Sequence, residues 1–248
     1  MKVEIKENER IDDLQFKGLK IIQNKKGFCF GIDSILLSDF AKSIKKDAYV
    51  MDLGTGTGII SMLLCEKTQL KKIIGVEIQQ EVCDMAQRSI YLNHLENKFE
   101  IINANILHLN SLFSKESFDV IVSNPPYKKI NTGVQNSEQK KNISRHEITA
   151  SLEEFIHVSF DLLKDRGEIY LVHRPERLVD VLSLMRKYQL EPKEIRMVYS
   201  NQEKPPCLVL IKGVKRGKSF LKILPNLYIY DLEGNETEEL QKIYHRTK

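Results

Sequence analysis

The stretch that most narrows what this chain can fold into is Met51-Asp52-Leu53-Gly54-Thr55-Gly56-Thr57-Gly58-Ile59. A short apolar strand, Tyr49 to Met51, runs into it, and the residues from Ile59 to Lys67 leave it as an apolar helix. Glycines at such a junction let the backbone turn sharply and approach a ligand without a Cβ in the way. The amino end of the following helix adds free N–H groups and a partial positive charge. The spacing is GxGxG, whereas a dinucleotide fingerprint reads GxGxxG. Asp52, two residues before the first glycine, would repel a pyrophosphate but suits the cationic amino group of a methionine-type ligand.

The pattern around this turn keeps alternating between strand and helix. Strands are predicted at Ile73–Glu77, Phe99–Ile102, Phe118–Val122, Glu168–His173, Ile195–Tyr199 and Cys207–Lys212. Helices are predicted at Glu81–His94, with Val82, Met85, Ala86 and Ile90 on one face, and at Pro175–Tyr188, with proline in the first turn. Another opens at Ser151, where Glu154 completes a capping-box pair. Repeated alternation of this kind gives an α/β fold, a doubly wound, mostly parallel sheet covered on both faces. Upstream, Leu19–Gln23, a turn at Asn24–Gly27 and Phe28–Phe30 read as a β-hairpin. A helix follows, with Asp33 or Ser34 as its N-cap. The expected organisation is therefore an extension over residues 1–45 and a main domain over residues 46–248.

Composition excludes more than it selects. No apolar run approaches the roughly 20 residues of a membrane span, and Met1–Arg10 lacks the apolar stretch of a secretory signal. Cys29, Cys65, Cys83 and Cys207 have no metal-ligand spacing and read as thiols in a reducing compartment, which points to the cytoplasm. No metal site is expected. A formal charge of +4 is compatible with a polyanionic partner without requiring one.

Two further constellations carry chemistry. Glu77 ends the next predicted strand, where an acid can accept hydrogen bonds from both hydroxyls of a ribose. Phe118–Tyr127 reads FDVIVSNPPY, which puts Asn124, Pro125, Pro126 and Tyr127 at the carboxyl end of a hydrophobic strand. The amine of an aromatic base or an amide is a poor nucleophile because its lone pair is delocalised. The side-chain carbonyl of Asn124 can accept a hydrogen bond from that amine and the backbone carbonyl of Pro125 a second, which favours a pyramidal nitrogen. The prolines stiffen that backbone before substrate arrives, and Tyr127 offers a face for a planar base.

The stretch from Lys128 to Glu147 breaks the rhythm: it is polar, without periodicity, and basic through Lys128, Lys129, Lys140, Lys141 and Arg145. Loops that long inside a compact domain are usually functional or disordered. This one is a candidate contact for phosphates, as is the later run Lys212, Lys215, Arg216 and Lys218.

Asp52–Gly58, Glu77 and Asn124–Tyr127 are similar to the cofactor and catalytic motifs of class I amino-methyltransferases. More narrowly, the chain resembles the bacterial methyltransferases that modify N6 of adenine 37 in valine tRNA. That resemblance runs almost end to end, through Phe30-Gly31-Ile32-Asp33-Ser34-Ile35-Leu36-Leu37, Arg145-His146-Glu147, Leu208–Gly213 and Leu227–Tyr230. It implies a seven-stranded sheet with an antiparallel last strand, S-adenosylmethionine as cofactor, a tRNA anticodon loop as substrate, and a monomer. Thr55, Ile78, Asn105 and Ile106 then join Asp52, Gly54, Gly56, Gly58, Glu77 and Asn124 as cofactor-binding candidates, and His146 joins the basic loop as a substrate contact. Family members usually carry an acid where this chain has Asn105. Its side-chain oxygen can still accept a bond from the cofactor's adenine amine.

NPPY is shared by DNA adenine, rRNA and protein-glutamine methyltransferases. The alternative is therefore a protein-glutamine N5-methyltransferase of the release-factor type, though such enzymes resemble this one in the core and carry a helical domain ahead of it. A third reading is a non-catalytic RNA-binding module. The intact NPPY beside Asp52 and Glu77 speaks against that.

Overall fold

The structure, a computed structural model, describes residues 3–26, 31–125, 127 and 150–244. The chain opens with an antiparallel pair, β1 (Glu9–Asp13) and β2 (Lys20–Asn24). β2 forms where a strand is expected; among the described residues its partner is β1, which precedes it, and the expected return strand Phe28–Phe30 lies outside the described residues. The reason is packing. Leu14, Phe16 and Leu19 in the connection, with Ile21 and Ile22 in β2, all enter the core and need the strand pair beside helix α3 (Gln80–Leu92). The backbone N–H of Ile22 donates to Ser89 Oγ at 2.9 Å, and the Asn93 side chain pairs with both backbone groups of Lys20. Arg88 forks onto the carboxylate of Glu9 at 2.6 and 2.7 Å.

Helix α1 (Ile32–Phe40) follows, with Gly31 as its N-cap residue and no side-chain cap. Asp33 and Ser34 thus lie inside the first turn, and the expected cap is displaced by two residues or more. Next come β3 (Tyr49–Leu53), α2 (Ile59–Lys67), β4 (Lys72–Glu77), α3 and β5 (Phe99–Asn103). A short helix, α4 (Leu109–Leu112), leads to β6 (Phe118–Ser123). Then come α5 (Leu152–Leu162), β7 (Leu163–His173), α6 (Leu178–Lys187), β8 (Leu190–Tyr199) and β9 (Pro206–Lys215). The short β10 (Lys222–Ile223) and β11 (Leu227–Tyr228) and the helix α7 (Glu238–Ile243) complete the chain.

The main sheet runs β10-β8-β9-β7-β6-β3-β4-β5, with β11 also on β8. Seven of these strands are long, and β9 alone runs antiparallel to its neighbours β7 and β8. The mostly parallel α/β fold with an antiparallel last long strand is therefore as expected. Successive strand residues face opposite sides, and both sides are apolar here because helices cover both. Val50, Val120, Val122 and Tyr170 face α1 and α2, whereas Met51, Leu53, Ile121 and Leu171 face α5 and α6. The residues of the amino-terminal pair and α1 belong to the first of these cores.

Several boundaries move for local reasons. Leu163 already pairs with Phe118 before an irregularity at residues 164–167, so β7 starts earlier than Glu168. Pro175 opens a 3-10 turn, and the α-helix proper begins at Leu178. The capping box of α5 forms as expected, with Ser151 Oγ accepting from the Glu154 N–H at 3.3 Å and Glu154 accepting from the Ser151 N–H at 2.6 Å. Among the described residues, no helix is long and apolar enough to cross a membrane.

Candidate active site at the strand ends

Strands β6, β3, β4 and β5 lie side by side and parallel, so their carboxyl ends form one rim. Chain order leaves β3 toward β5 on one side and later toward β7 on the other. The gap at β3 and β6 is thus the switch point where such sheets bind ligands. The rim carries Asn124 just past β6, Asp52 in β3, Glu77 at the end of β4 and Asn105 just past β5. Ser123 Oγ ties two of these ends together by donating to the Leu53 carbonyl at 2.8 Å.

The glycine turn is fastened from below. The N–H groups of Gly54 and Thr55 both donate to the Val76 carbonyl, at 2.9 and 3.0 Å. Asp52 is fully buried, and its Oδ2 accepts from the hydroxyls of Thr55 at 2.7 Å and Ser61 at 2.8 Å. Its Oδ1 is buried with no hydrogen-bond partner among the described residues. Burial pushes the Asp52 carboxyl up to about 6, against the pull of the two hydroxyls. Gly58 ends the turn at φ +89°, and a Cβ there would stand 2.8 Å from the Phe99 ring, so backbone angle and close packing both require glycine.

Glu77 is buried and engaged at both oxygens: Oε2 accepts from the Gly56 N–H at 3.1 Å and Oε1 from the Gln79 N–H at 3.0 Å. Ile78 is half-buried, and its carbonyl and that of Glu77 accept from Asn103 Nδ2, which binds the ends of β4 and β5. Asn105 uses its side-chain oxygen to cap the 3-10 turn at Ile106–His108, accepting from the Leu107 N–H at 3.0 Å. One lone pair of that oxygen is therefore committed to the turn. Ile106 is buried beneath it.

On the other side of the switch point, Pro125 is buried and Asn124 is half-buried. Asn124 Nδ2 donates to Asp33 Oδ2 at 3.1 Å, and the Tyr127 hydroxyl donates to the same oxygen at 2.9 Å. Burial first, and the Asp33 carboxylate second, hold the Tyr127 phenol far above its ordinary range, so it stays protonated. The Arg174 guanidinium already sits over the Tyr127 ring, 5.2 Å from its centroid, and the His173 ring lies 5.2 Å away at an angle. A base stacking on Tyr127 would share the ring with that cation. His173 is buried and accepts the Arg174 N–H at Nδ1, which assigns its proton to Nε2, a buried atom with no partner among the described residues. Burial lowers its pKa.

Asp33, Ser61, His173 and Arg174 are the residues of this neighbourhood that sequence reasoning did not single out for chemistry. Asp33 does carry a signal in the sequence, since it sits inside Phe30–Leu37, a segment through which the family resemblance runs. Pro126, Lys128, Lys129, Lys140, Lys141, Arg145 and His146 lie outside the described residues. Three members of the later basic run, Lys212, Lys215 and Arg216, are engaged within the fold. Lys215 is buried, donating to Glu116 and to the Leu163 carbonyl, and Lys212 pairs with Glu168. Arg216 pairs with Glu116 and Asp165. Because β9 is antiparallel, Lys215 and Arg216 also stand at the end of the sheet opposite the rim. An open hollow of about 660 Å³ elsewhere, lined by Lys17, Asp39, Lys67, Arg196 and Glu239, shares no residue with the rim; in it Lys67 pairs with Asp39 and Arg196 with Glu239.

The sheet order, the turn after β3, the acid after β4 and the NPPY residues after β6 together define a Rossmann-like class I methyltransferase. The methyltransferase small domain matches residues 30–190, and the chain belongs to that family. It is 29% identical over 206 residues to the tRNA1(Val) (adenine(37)-N6)-methyltransferase of Porphyromonas gingivalis, covering 80% of this chain and 79% of that one. In fold it is similar to a predicted O-methyltransferase from Agrobacterium tumefaciens (TM-score 0.68, 17% identity, 86% of this chain and 95% of that one). It is also similar to the geranyl diphosphate C-methyltransferase of Streptomyces coelicolor, solved with S-adenosyl-L-homocysteine (TM-score 0.53, 13% identity, 73% of this chain and 74% of that one).

The chain is thus a methyltransferase with S-adenosylmethionine as its methyl donor, and its own residues fit that donor. A Cβ built on Gly56 meets none of the described residues within 4 Å, so among them the turn leaves open space above its backbone. The orphaned Oδ1 of Asp52 is a buried acceptor whose desolvation a nearby cation would offset.

Proposed function

We propose that this enzyme methylates N6 of an adenine in tRNA, adenine 37 of valine tRNA, within the anticodon loop. The relative from Porphyromonas gingivalis carries that activity in its name, and an anticodon-loop base is already unpaired and open to recognition. The observation that carries the reading is the placement of Asn124 and Pro125 beside the Asp52 turn, with the Ser123–Leu53 hydrogen bond holding the two strand ends together. Asp52, Gly54, Thr55, Gly56, Gly58, Glu77, Ile78, Asn105 and Ile106 hold the donor. The donor supplies an electrophilic methyl group. The carbonyls of Asn124 and Pro125 each accept a hydrogen bond from an N–H of the adenine amine and direct the nitrogen lone pair toward the donor's side of the rim. Tyr127, Lys128, Lys129, Lys140, Lys141, Arg145 and His146 meet the base and its phosphates. The reading requires no metal, and it takes the enzyme as a monomer working in the cytoplasm.

The test is incubation of purified protein with labelled S-adenosylmethionine and total tRNA lacking the modification, followed by nucleoside mass spectrometry. A new N6-methyladenosine peak mapping to position 37 of valine tRNA is expected. Label on a release-factor glutamine with none on tRNA would replace this reading with the protein-glutamine one.

A further inference from the structure

We propose that Asp33 is a positioning residue of the methyl transfer: it selects which end of the Asn124 side-chain amide faces the substrate. The inference deepens the reading above and rests on Asn124 acting as an acceptor. A primary amide has two ends of nearly the same shape and opposite chemistry, a carbonyl that accepts and an NH2 that donates. Only the carbonyl end can accept a hydrogen bond from a substrate amine. Something must therefore prevent the side chain from presenting its NH2.

The carboxylate of Asp33 does this because an ionised acid only accepts. Its Oδ2 takes the NH2 of Asn124 at 3.1 Å and so turns the Asn124 oxygen the other way. The same Oδ2 takes the Tyr127 hydroxyl at 2.9 Å, and Oδ1 takes the Ser34 N–H at 3.0 Å. Both oxygens of a buried acid are thus engaged, and its orientation is fixed. One carboxylate reaches two members of the NPPY run, 91 and 94 residues further along the chain.

Gly31 shows that the fold makes room for this acid. Its φ of −100° suits any residue, so the backbone does not call for glycine there. A Cβ at Gly31 would, however, stand 2.7 Å from Asp33 Oδ1. Glycine at 31 is therefore explained by the position of the Asp33 carboxylate. The first turn of α1, where Asp33 lies, is also the end of the helix that favours a negative charge.

The test is a set of variants of the full chain, assayed in single turnover on the substrate that the wild type labels, with S-adenosylhomocysteine affinity and tRNA KM measured in parallel. In Asp33→Asn the new amide can donate to the Asn124 oxygen and let the side chain turn over. The rate of transfer should fall at least a hundredfold, while cofactor affinity and KM stay within about threefold. Gly31→Ala should lose rate about tenfold in the same pattern.

Relocating the charge is the sharper experiment. Asn124→Asp alone places two carboxylates in contact and should be nearly inactive. Adding Asp33→Asn should restore at least tenfold over that single variant. The NH2 of residue 33 then binds one oxygen of residue 124 and leaves the other free to accept. A merely structural contact gives no such rescue. Three results would overturn the proposal: a rate within threefold of wild type in Asp33→Asn, a loss that appears only as weaker cofactor binding, or a double variant no faster than Asn124→Asp. Failure of the wild type to label any tRNA would instead overturn the substrate assignment, and the same variants would then be read on whichever substrate it labels.

Discussion

Glu77 accepts the backbone N–H of Gly56 at 3.1 Å, so the acid at the end of β4 also sets the shape of the turn after β3. The two halves of the proposed donor site are therefore one unit, and the group expected to receive the ribose hydroxyls is pre-oriented by the glycine turn. Glu77→Gln keeps the shape and removes the charge. Hydrogen bonds to charged groups contribute about 1.5–3 kcal/mol, so affinity for S-adenosylhomocysteine should drop about ten- to a hundredfold. Calorimetric titration checks this. Unchanged affinity would remove Glu77 from the donor site.

Asp52 gives the enzyme a pH signature. Its carboxyl, raised by burial to about 6, binds a proton more readily folded than unfolded. That contribution to stability is present at pH values below about 4 and is lost as pH rises through 6. A shift of that size corresponds to no more than about 3 kcal/mol. Denaturation of the cofactor-free protein between pH 4.5 and 8 should show this decline, and Asp52→Asn should lack it. Donor binding should follow the opposite slope. A cationic amino group needs the ionised acid, so affinity should fall about tenfold per pH unit below 6.

The amino-terminal strand pair is pinned by a buried ion pair whose loss should be plain in unfolding experiments. Arg88 and Glu9 have side chains only 13% and 5% exposed, and the fork of Arg88 holds the Glu9 carboxyl below its ordinary range. Arg88→Met leaves that acid buried without its guanidinium and should destabilise the protein by about 3–5 kcal/mol in urea titration. Adding Glu9→Gln should recover part of the loss, because the stranded charge is then gone.

Much of this architecture is legible in the sequence, and the exceptions have local causes. β3, α2 and the capping box of α5 are plain because a strand–glycine–helix junction and a Ser–Glu pair are local signals that long-range packing reinforces. The partner of β2 is not, because pairing with Glu9–Asp13 depends on Ser89, Asn93 and Arg88 of α3, far along the chain. β10, β11 and α4 are too short to show a period. Within the site, Asp52, Glu77 and Asn124 are readable from spacing. Asp33 is not, since its contact with Asn124 exists only once α1 has docked against the sheet. Lys212 and Lys215 read as phosphate contacts in one dimension. In three they are committed to Glu168 and Glu116.

Arg174 should matter through Tyr127. Its guanidinium lies over the ring while donating to the Cys207 carbonyl at 3.1 Å, at the edge of the rim. Arg174→Ala removes a cation–π contact of about 0.5–1 kcal/mol and a positive charge near the substrate. The KM for tRNA should rise several-fold and grow less sensitive to salt, with kcat nearly unchanged. A filter-binding series over ionic strength, run beside the kinetics, checks both.

The most direct test of the account is single-turnover methyl transfer by Asn124→Ala, with S-adenosylhomocysteine affinity measured on the same preparation. Loss of the acceptor at the end of β6 should slow transfer by about a hundred- to a thousandfold and leave affinity within about threefold. Transfer within tenfold of wild type, or a loss that tracks weaker donor binding, would contradict it.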